Sequence, residues 1–143
     1  MARRPAMDLS ISPYLQGNYA PVLEEYSFDQ GPGGLRVEGE IPAALCGAFM
    51  RNGPNIAWQP EHYVYPADGD GMVHAVYIRD GRAHYRNRWV RTAGFVVEEK
   101  LGRSCYGSIG KIRMPDAETL AAGGPPSPLK NLANTNIVYH GDR

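Results

Sequence analysis

The chain has 143 residues, with 15 Lys and Arg against 15 Asp and Glu and a formal net charge of zero. That balance argues against a nucleic-acid-binding arm or a surface built for anionic lipid, since both rely on excess positive charge. Hydrophobic residues make up 43% and charged residues 21%, an ordinary globular composition that excludes wholesale disorder. Cys46 and Cys105 are too few and too far apart for a disulfide scaffold or a tetrahedral zinc site. No apolar run approaches the ~18 residues of a membrane-spanning helix. The start, Met1 to Asp8, has a basic pair with no apolar stretch behind it, so no secretory signal is expected and a cytoplasmic protein with reduced thiols is.

The 17 glycines and 12 prolines are about a fifth of the chain, against a usual share of roughly 12%. A chain that turns this often favours short strands. Residues 1–35 read as an extended, irregular arm, because Pro13, Pro21 and Pro32 with Gly17, Gly31, Gly33 and Gly34 leave no room for a regular helix. Alternation over Leu35 to Ile41 predicts a short strand, Ile41 to Leu45 a single helical turn with Pro42 near its start, and Ala48 to Met50 another strand. Arg51-Asn-Gly-Pro-Asn55 reads as the turn that ends it.

The clearest local signal is a β-hairpin. Met72 to Ile78 and Ala83 to Val90 flank Asp80-Gly81, a pair suited to a type I′ turn because both central residues need positive φ. That turn sets Arg79 opposite Arg82, Ile78 opposite Ala83, Tyr77 opposite His84 and His74 opposite Asn87. Met72, His74, Val76, Ile78, Ala83, Tyr85, Asn87 and Trp89 then share the face predicted to be core. Further on, helical turns are expected around Val97 to Leu101 and Asp116 to Ala122, with a break at Gly123 to Pro128. Asn134 to His140 reads as a strand and Gly141-Asp142 as a hairpin turn. A turn with no returning strand leaves an unpaired edge, so the sequence is expected to be part of a longer chain.

The four histidines, His62, His74, His84 and His140, invite a metal-site reading. The hairpin register puts His74 and His84 on opposite faces, and no two histidines have the close spacing of a local ligand pair. No metal ligand is therefore assigned, and His74 is expected to be a neutral, hydrogen-bonded imidazole. Asp68-Gly-Asp-Gly-Met72 fails as a calcium loop, with Met72 and Arg79 where oxygen ligands belong, and fails as a dinucleotide fingerprint, with His74 in place of the third glycine. The basic strip Arg82, Arg86, Arg88 and Arg91 reads as a solvated strand face paired with carboxylates, since Trp89 points the other way. No nucleophile-elbow pattern occurs, and no catalytic residue is assigned.

Several segments in order resemble the beginning of the carotenoid cleavage oxygenase family of carotenoid, apocarotenoid and lignostilbene dioxygenases. They are Tyr14 to Pro21, Val37 to Pro42, Arg51-Asn-Gly-Pro-Asn55, Asp68-Gly-Asp-Gly-Met-Val-His74, Asn87 to Thr92, and Lys130-Asn-Leu-Ala-Asn-Thr-Asn136. Tyr63-Val-Tyr-Pro-Ala67 departs from the family's more usual aromatic-aromatic-acidic run. The resemblance implies an all-β fold, a seven-bladed β-propeller of which residues 36–143 would form the first blades behind the arm of residues 1–35. It also implies oxidative cleavage by O₂ of a conjugated C=C bond in an apolar small molecule, giving two carbonyl products. The non-haem Fe(II) of the family is held by four histidines, and the resemblance places all of them outside this chain, which alone is then expected to be inactive. Arg51, Asn52, Gly53, Pro54, Asn55, Gly69, Asp70, Gly71 and His74 are implied to be structural motif residues. Lys130 is the one candidate substrate contact, a match for the lysine that holds the substrate phenol in the stilbene-cleaving branch. The competing reading is a short, non-catalytic β-rich binding module or the product of a decayed gene. No nucleic-acid partner and no transmembrane segment are expected.

Overall fold

A computed structural model describes residues 6–141. The N-terminal arm is less irregular than expected. It makes three 3₁₀ turns, Leu9–Ile11, Pro13–Leu15 and Gly17–Tyr19, and then a short strand, β1 (Ser27–Asp29). Short side chains nucleate the first two turns: Asp8 accepts from the Ser10 backbone N–H and Ser12 from that of Tyr14, satisfying donors a helical turn leaves unpaired.

Three longer strands follow, β2 (Gly47–Asn55), β3 (Asp70–Arg79) and β4 (Arg82–Trp89). They form one antiparallel sheet in the order β1-β4-β3-β2. The hairpin register is the predicted one at all four pairs, including His74 opposite Asn87. Asp80 and Gly81 have φ of 52° and 70°, the positive values a type I′ turn demands. The face containing Met72, Ala83, Asn87 and Trp89 is buried, as the alternation required, although Ala75 on the opposite face is buried too.

Four expectations are corrected. Arg51 to Asn55 is the second half of β2, paired with His74 to Asp70; Pro54 is tolerated because β2 is the sheet's edge, where a missing N–H costs little. Leu35 to Ile41 is not a strand. Only Leu35 bridges, to Gln30, and Gly39 at φ 84° breaks the extension. Residues 134–140 are not a strand, because their polar groups are spent on loops: Asn134 Nδ2 donates to the Gly69 and Pro66 carbonyls, and Asn136 Oδ1 accepts from Ile137 N. The fold is mostly β rather than all-β, since α1 (Ala93–Leu101) and α2 (Ala117–Ala121) are regular helices. Thr92 caps α1 by accepting from Phe95 N, and Gly102 closes it in the left-handed region at φ 70°.

Ala57, Trp58, Met72, Trp89 and Phe95 form the core, with Val22 packed against it. Two buried asparagines staple the arm to this core. Asn87, fully buried, accepts from Tyr26 N and donates to Glu24 O; Asn55 accepts from Val22 N and donates to Val22 O. Both also point an amide N–H at the Met72 sulfur. Among the described residues no helix is long and apolar enough to cross a membrane. Phe95 is 0% exposed, with its ring 5.4 Å from that of Trp89. Phe95→Ala is expected to cost about 3–5 kcal/mol in urea denaturation, whereas Val96→Ala, at an exposed neighbour, should stay within about 0.5 kcal/mol.

Candidate functional site

The motif segments meet in space. Asn52 on β2 donates from Nδ2 to the Ala133 and Asn136 carbonyls, and Gly71 N on β3 donates to Leu132 O at 2.8 Å. The 132–133 backbone crosses β3 so closely that a Cβ at Gly71 would lie 2.1 Å from Ala133 O. Only glycine fits there. Asn52, Gly71 and the Lys130 to Asn136 stretch are thus parts of one seam.

At the end of that seam, Lys130 is buried rather than on a surface loop. Its Nζ lies 2.7 Å from Asp70 Oδ1 and 2.5 Å from Glu98 Oε2. The side chains of Lys130, Asp70 and Glu98 are 10%, 7% and 0% exposed. β3 supplies Asp70, α1 supplies Glu98 and the loop before residue 132 supplies Lys130, so one ammonium ties three elements together. Glu98 Oε1 also accepts from Cys105 N at 2.8 Å. A Cβ at Gly94, in the first turn of α1, would meet Lys130 Cβ at 2.8 Å, so the helix needs glycine there to admit the lysine.

Burial pushes the Glu98 carboxyl above the usual carboxylate range against the pull of Lys130. Burial also lowers Lys130, but the Asp70 and Glu98 carboxylates outweigh it and hold the ammonium above its ordinary value. Lys130 therefore stays protonated.

These groups line a cavity of about 130 Å³ whose walls include Ile56, Trp58, Leu129 and Leu132. Tyr106 lines it as well. This tyrosine is 5% exposed, its hydroxyl is buried without a hydrogen-bond partner among the described residues, and burial raises its pKa. A chamber with apolar wall residues, a charged floor and a buried tyrosine hydroxyl can take a ring or chain that carries a small polar end. Glu98 and Tyr106 were not singled out from the sequence. Glu98, in the run Val97-Glu-Glu-Lys100, looks like helix-surface charge, and the available hint is Thr92 and Gly102 marking a longer helix that turns Glu98 inward.

The other motif residues lie elsewhere. Gly69 packs against Pro54 and Asn55, where a Cβ would come within 2.6 Å of both. Arg51 and His74 are cross-strand partners, and Gly53 lies under the Arg51 guanidinium. His74 Nδ1 is 2.7 Å from Tyr85 Oη, and burial with the neighbouring Arg51 charge lowers its pKa, which keeps the imidazole neutral.

The histidines do not form a metal centre. His62 pairs with Ser108, His74 with Tyr85 and His84 with Ser27 and Asp29, each on a different part of the fold. Among the described residues no group of three or more His, Cys, Asp or Glu is gathered as a ligand set. Of the basic strip, Arg88 pairs with Glu25 and Arg91 with Glu99.

Sequence comparison places this seam in a known lineage. The family model described as retinal pigment epithelial membrane protein matches residues 19–143, and the chain belongs to that family, the carotenoid cleavage oxygenases. It is 36% identical to the carotenoid 9,10(9',10')-cleavage dioxygenase 1 of Pisum sativum, over 89% of this chain and 25% of that one. It is 43% identical to the apocarotenoid-15,15'-oxygenase of Synechocystis, over 75% of this chain and 22% of that one. The cobalt-substituted form of the Synechocystis oxygenase superposes with a TM-score of 0.62 at 35% identity, covering 86% of this chain and 25% of that chain. A lignostilbene dioxygenase from Pseudomonas brassicacearum superposes with a TM-score of 0.60 at 30% identity, covering 67% of this chain and 20% of the other. The chain spans about a quarter of the length of the curated relatives it matches.

Removing one member of a buried ion triad strands the others. Lys130→Met is expected to destabilise the protein by about 3–5 kcal/mol in urea, and Lys130→Met with Glu98→Gln to recover part of that loss. The sign for Glu98 is the reverse of an ordinary paired carboxylate: its folded pKa lies above the unfolded 4.5, so the native state binds the proton more tightly. Stability should fall as pH rises from about 4.5 through the elevated folded value. Glu98→Gln should flatten that segment of the stability–pH profile.

Proposed function

We propose that this chain supplies the opening part of a non-haem Fe(II) dioxygenase that cleaves a conjugated C=C bond of a carotenoid, apocarotenoid or stilbene to two carbonyl products. Family membership over residues 19–143 carries this reading, and the printed activities of the relatives support its substrate range. The metal supplies the O₂ chemistry of such an enzyme. The described histidines do not fit as its ligands, being dispersed and separately bonded, so Fe(II) belongs to parts of the enzyme outside this chain. Iron is proposed over other metals from the family; the cobalt-substituted relative supports a metal-dependent member.

The β1-β4-β3-β2 sheet is proposed as one blade of a seven-bladed propeller, in keeping with four-stranded antiparallel blades, with residues 1–35 as an arm that lends β1 to it and 36–143 as the first blades. Of the motif residues, Asn52, Gly69, Asp70 and Gly71 would tie that blade to the residue 130–136 seam, while Arg51, Gly53, Pro54, Asn55 and His74 would shape the blade itself. Two free cysteines, Cys46 exposed and Cys105 buried, suit a reducing, cytoplasmic setting. The balanced charge supports an apolar small molecule and O₂ as partners rather than nucleic acid.

Lys130 is proposed as a substrate contact in the cavity it lines, with Tyr106 beside it. The floor already holds two carboxylates around one ammonium, so it favours a neutral hydroxyl that donates to a carboxylate over a ligand anion. A purified 143-residue chain supplied with Fe(II) and O₂ should consume no O₂ above background with a hydroxystilbene; turnover by it would overturn the assignment of the iron ligands. In the natural full-length protein, Lys130→Met should lower kcat/KM by about tenfold or more on a hydroxystilbene relative to an unhydroxylated polyene. An equal loss on both would reduce Lys130 to a structural role.

A further inference from the structure

The fold builds a second cleft, lined by the arm and the Arg51–Asn55 end of β2, and its chemistry differs from that of the first. It encloses about 180 Å³ between the arm and the sheet. The arm wall is held rigidly, since Asn55 clamps Val22 through both its amide groups and Leu15 is 1% exposed. Three tyrosines form one side: Tyr14 stacks on Tyr65 at 5.2 Å, and Tyr19 meets both edge-on at 5.6 and 5.5 Å. Arg51 and His74, cross-strand partners on β2 and β3, form the other. Among the described residues no Asp or Glu lines this cleft, whereas Glu61, Asp68, Asp70 and Glu98 line the first.

Among the described residues no carboxylate pairs with Arg51, whose guanidinium lies over Gly53. The His74 ring is oriented by Tyr85 Oη on Nδ1. In the tautomer whose Nδ1 accepts from the Tyr85 hydroxyl, Nε2 carries the proton and is a donor. A guanidinium fork and an imidazole N–H side by side match a carboxylate, and tyrosine faces and edges match an aromatic ring.

We propose that the Arg51–His74 cleft is a binding site for a small aromatic carboxylate, distinct from the cavity at Lys130 and independent of the dioxygenase reading. The carboxylate meets Arg51 and His74 while the ring packs against the Tyr14, Tyr19 and Tyr65 cluster. The same chemistry could be presented by a free acid or by a carboxylate side chain elsewhere in the protein, and the test separates the two.

The probe is benzoate, titrated into the natural gene product and followed through the His74 ring resonances in NMR, with benzamide and inorganic phosphate as controls. Saturable benzoate binding is expected, with His74 titrating at higher pH once an anion offsets the Arg51 charge. Arg51→Met should weaken it by about tenfold or more, Arg51→Lys less because the bidentate fork is lost but the charge kept, and Tyr19→Leu should weaken benzoate but not phosphate. The Tyr19 variant serves if the Arg51 variants fail to fold. Benzamide binding as well as benzoate, phosphate binding better than benzoate, or unchanged affinity in Arg51→Met would overturn the proposal. Absence of any benzoate response, with Arg51 found bonded to a carboxylate side chain of the same molecule, would assign the site to the protein's own chain and overturn the free-ligand claim.

Discussion

A single buried ammonium organises much of this structure. Lys130 sits between Asp70 and Glu98 with almost no water access, and each of the three comes from a different element. Two carboxylates around one ammonium leave an uncompensated negative charge in a low-dielectric setting. Such a cluster persists only with good geometry and further donors, which explains why Glu98 also takes the Cys105 N–H and why Glu98 titrates upward. It also explains Gly94, where any side chain would displace the lysine. The triad sets where α1 lies against β3, and that placement leaves the Lys130 cavity open between them.

The sheet and the seam then divide polar work between asparagine and glycine. Asn55 and Asn87 hold the arm, Asn52 and Asn134 hold the 130–136 stretch, and Gly69 and Gly71 let backbones cross at close range. Amide side chains suit this task because each offers a donor and an acceptor and binds backbone without introducing charge. The two cavities differ in charge: one is acidic around a held ammonium, and the other sets Arg51 beside tyrosines.

What could be read from the sequence followed from local rules. Asp80-Gly81 dictates its own turn and, through the period of two, the register and buried face of β3 and β4. The motif segments were legible as a family resemblance, and the comparisons bear the family out. Misreadings came where long-range contacts outvote local chemistry. Arg51 to Asn55 looks like a turn in isolation and becomes strand because β3 offers nine partners in register. Residues 134–140 alternate like a strand, yet Asn134 gives its side-chain amide to the Pro66 and Gly69 carbonyls and no ladder forms. Lys130 could be noticed, but its burial could not, since the carboxylates that bury it are 60 and 32 residues away, as the numbering of Asp70 and Glu98 shows. The Arg51–His74 cleft needed both the β2 extension and the folded arm, and neither was expected.

The outer rim of β2 is chemically two-ended. Toward Asn55 it contains Gly53 and Pro54, and proline has no N–H to offer a further strand. Toward Gly47 it carries ordinary backbone with Phe49 70% exposed and Met50 40% exposed. A strand that extends the sheet on this side therefore meets a full row of donors at the Phe49 end and loses the one that Pro54 lacks as it approaches the arm. The rim specifies not only that a neighbour can join but where its pairing starts, and it leaves the proline end free to meet loops instead of strands.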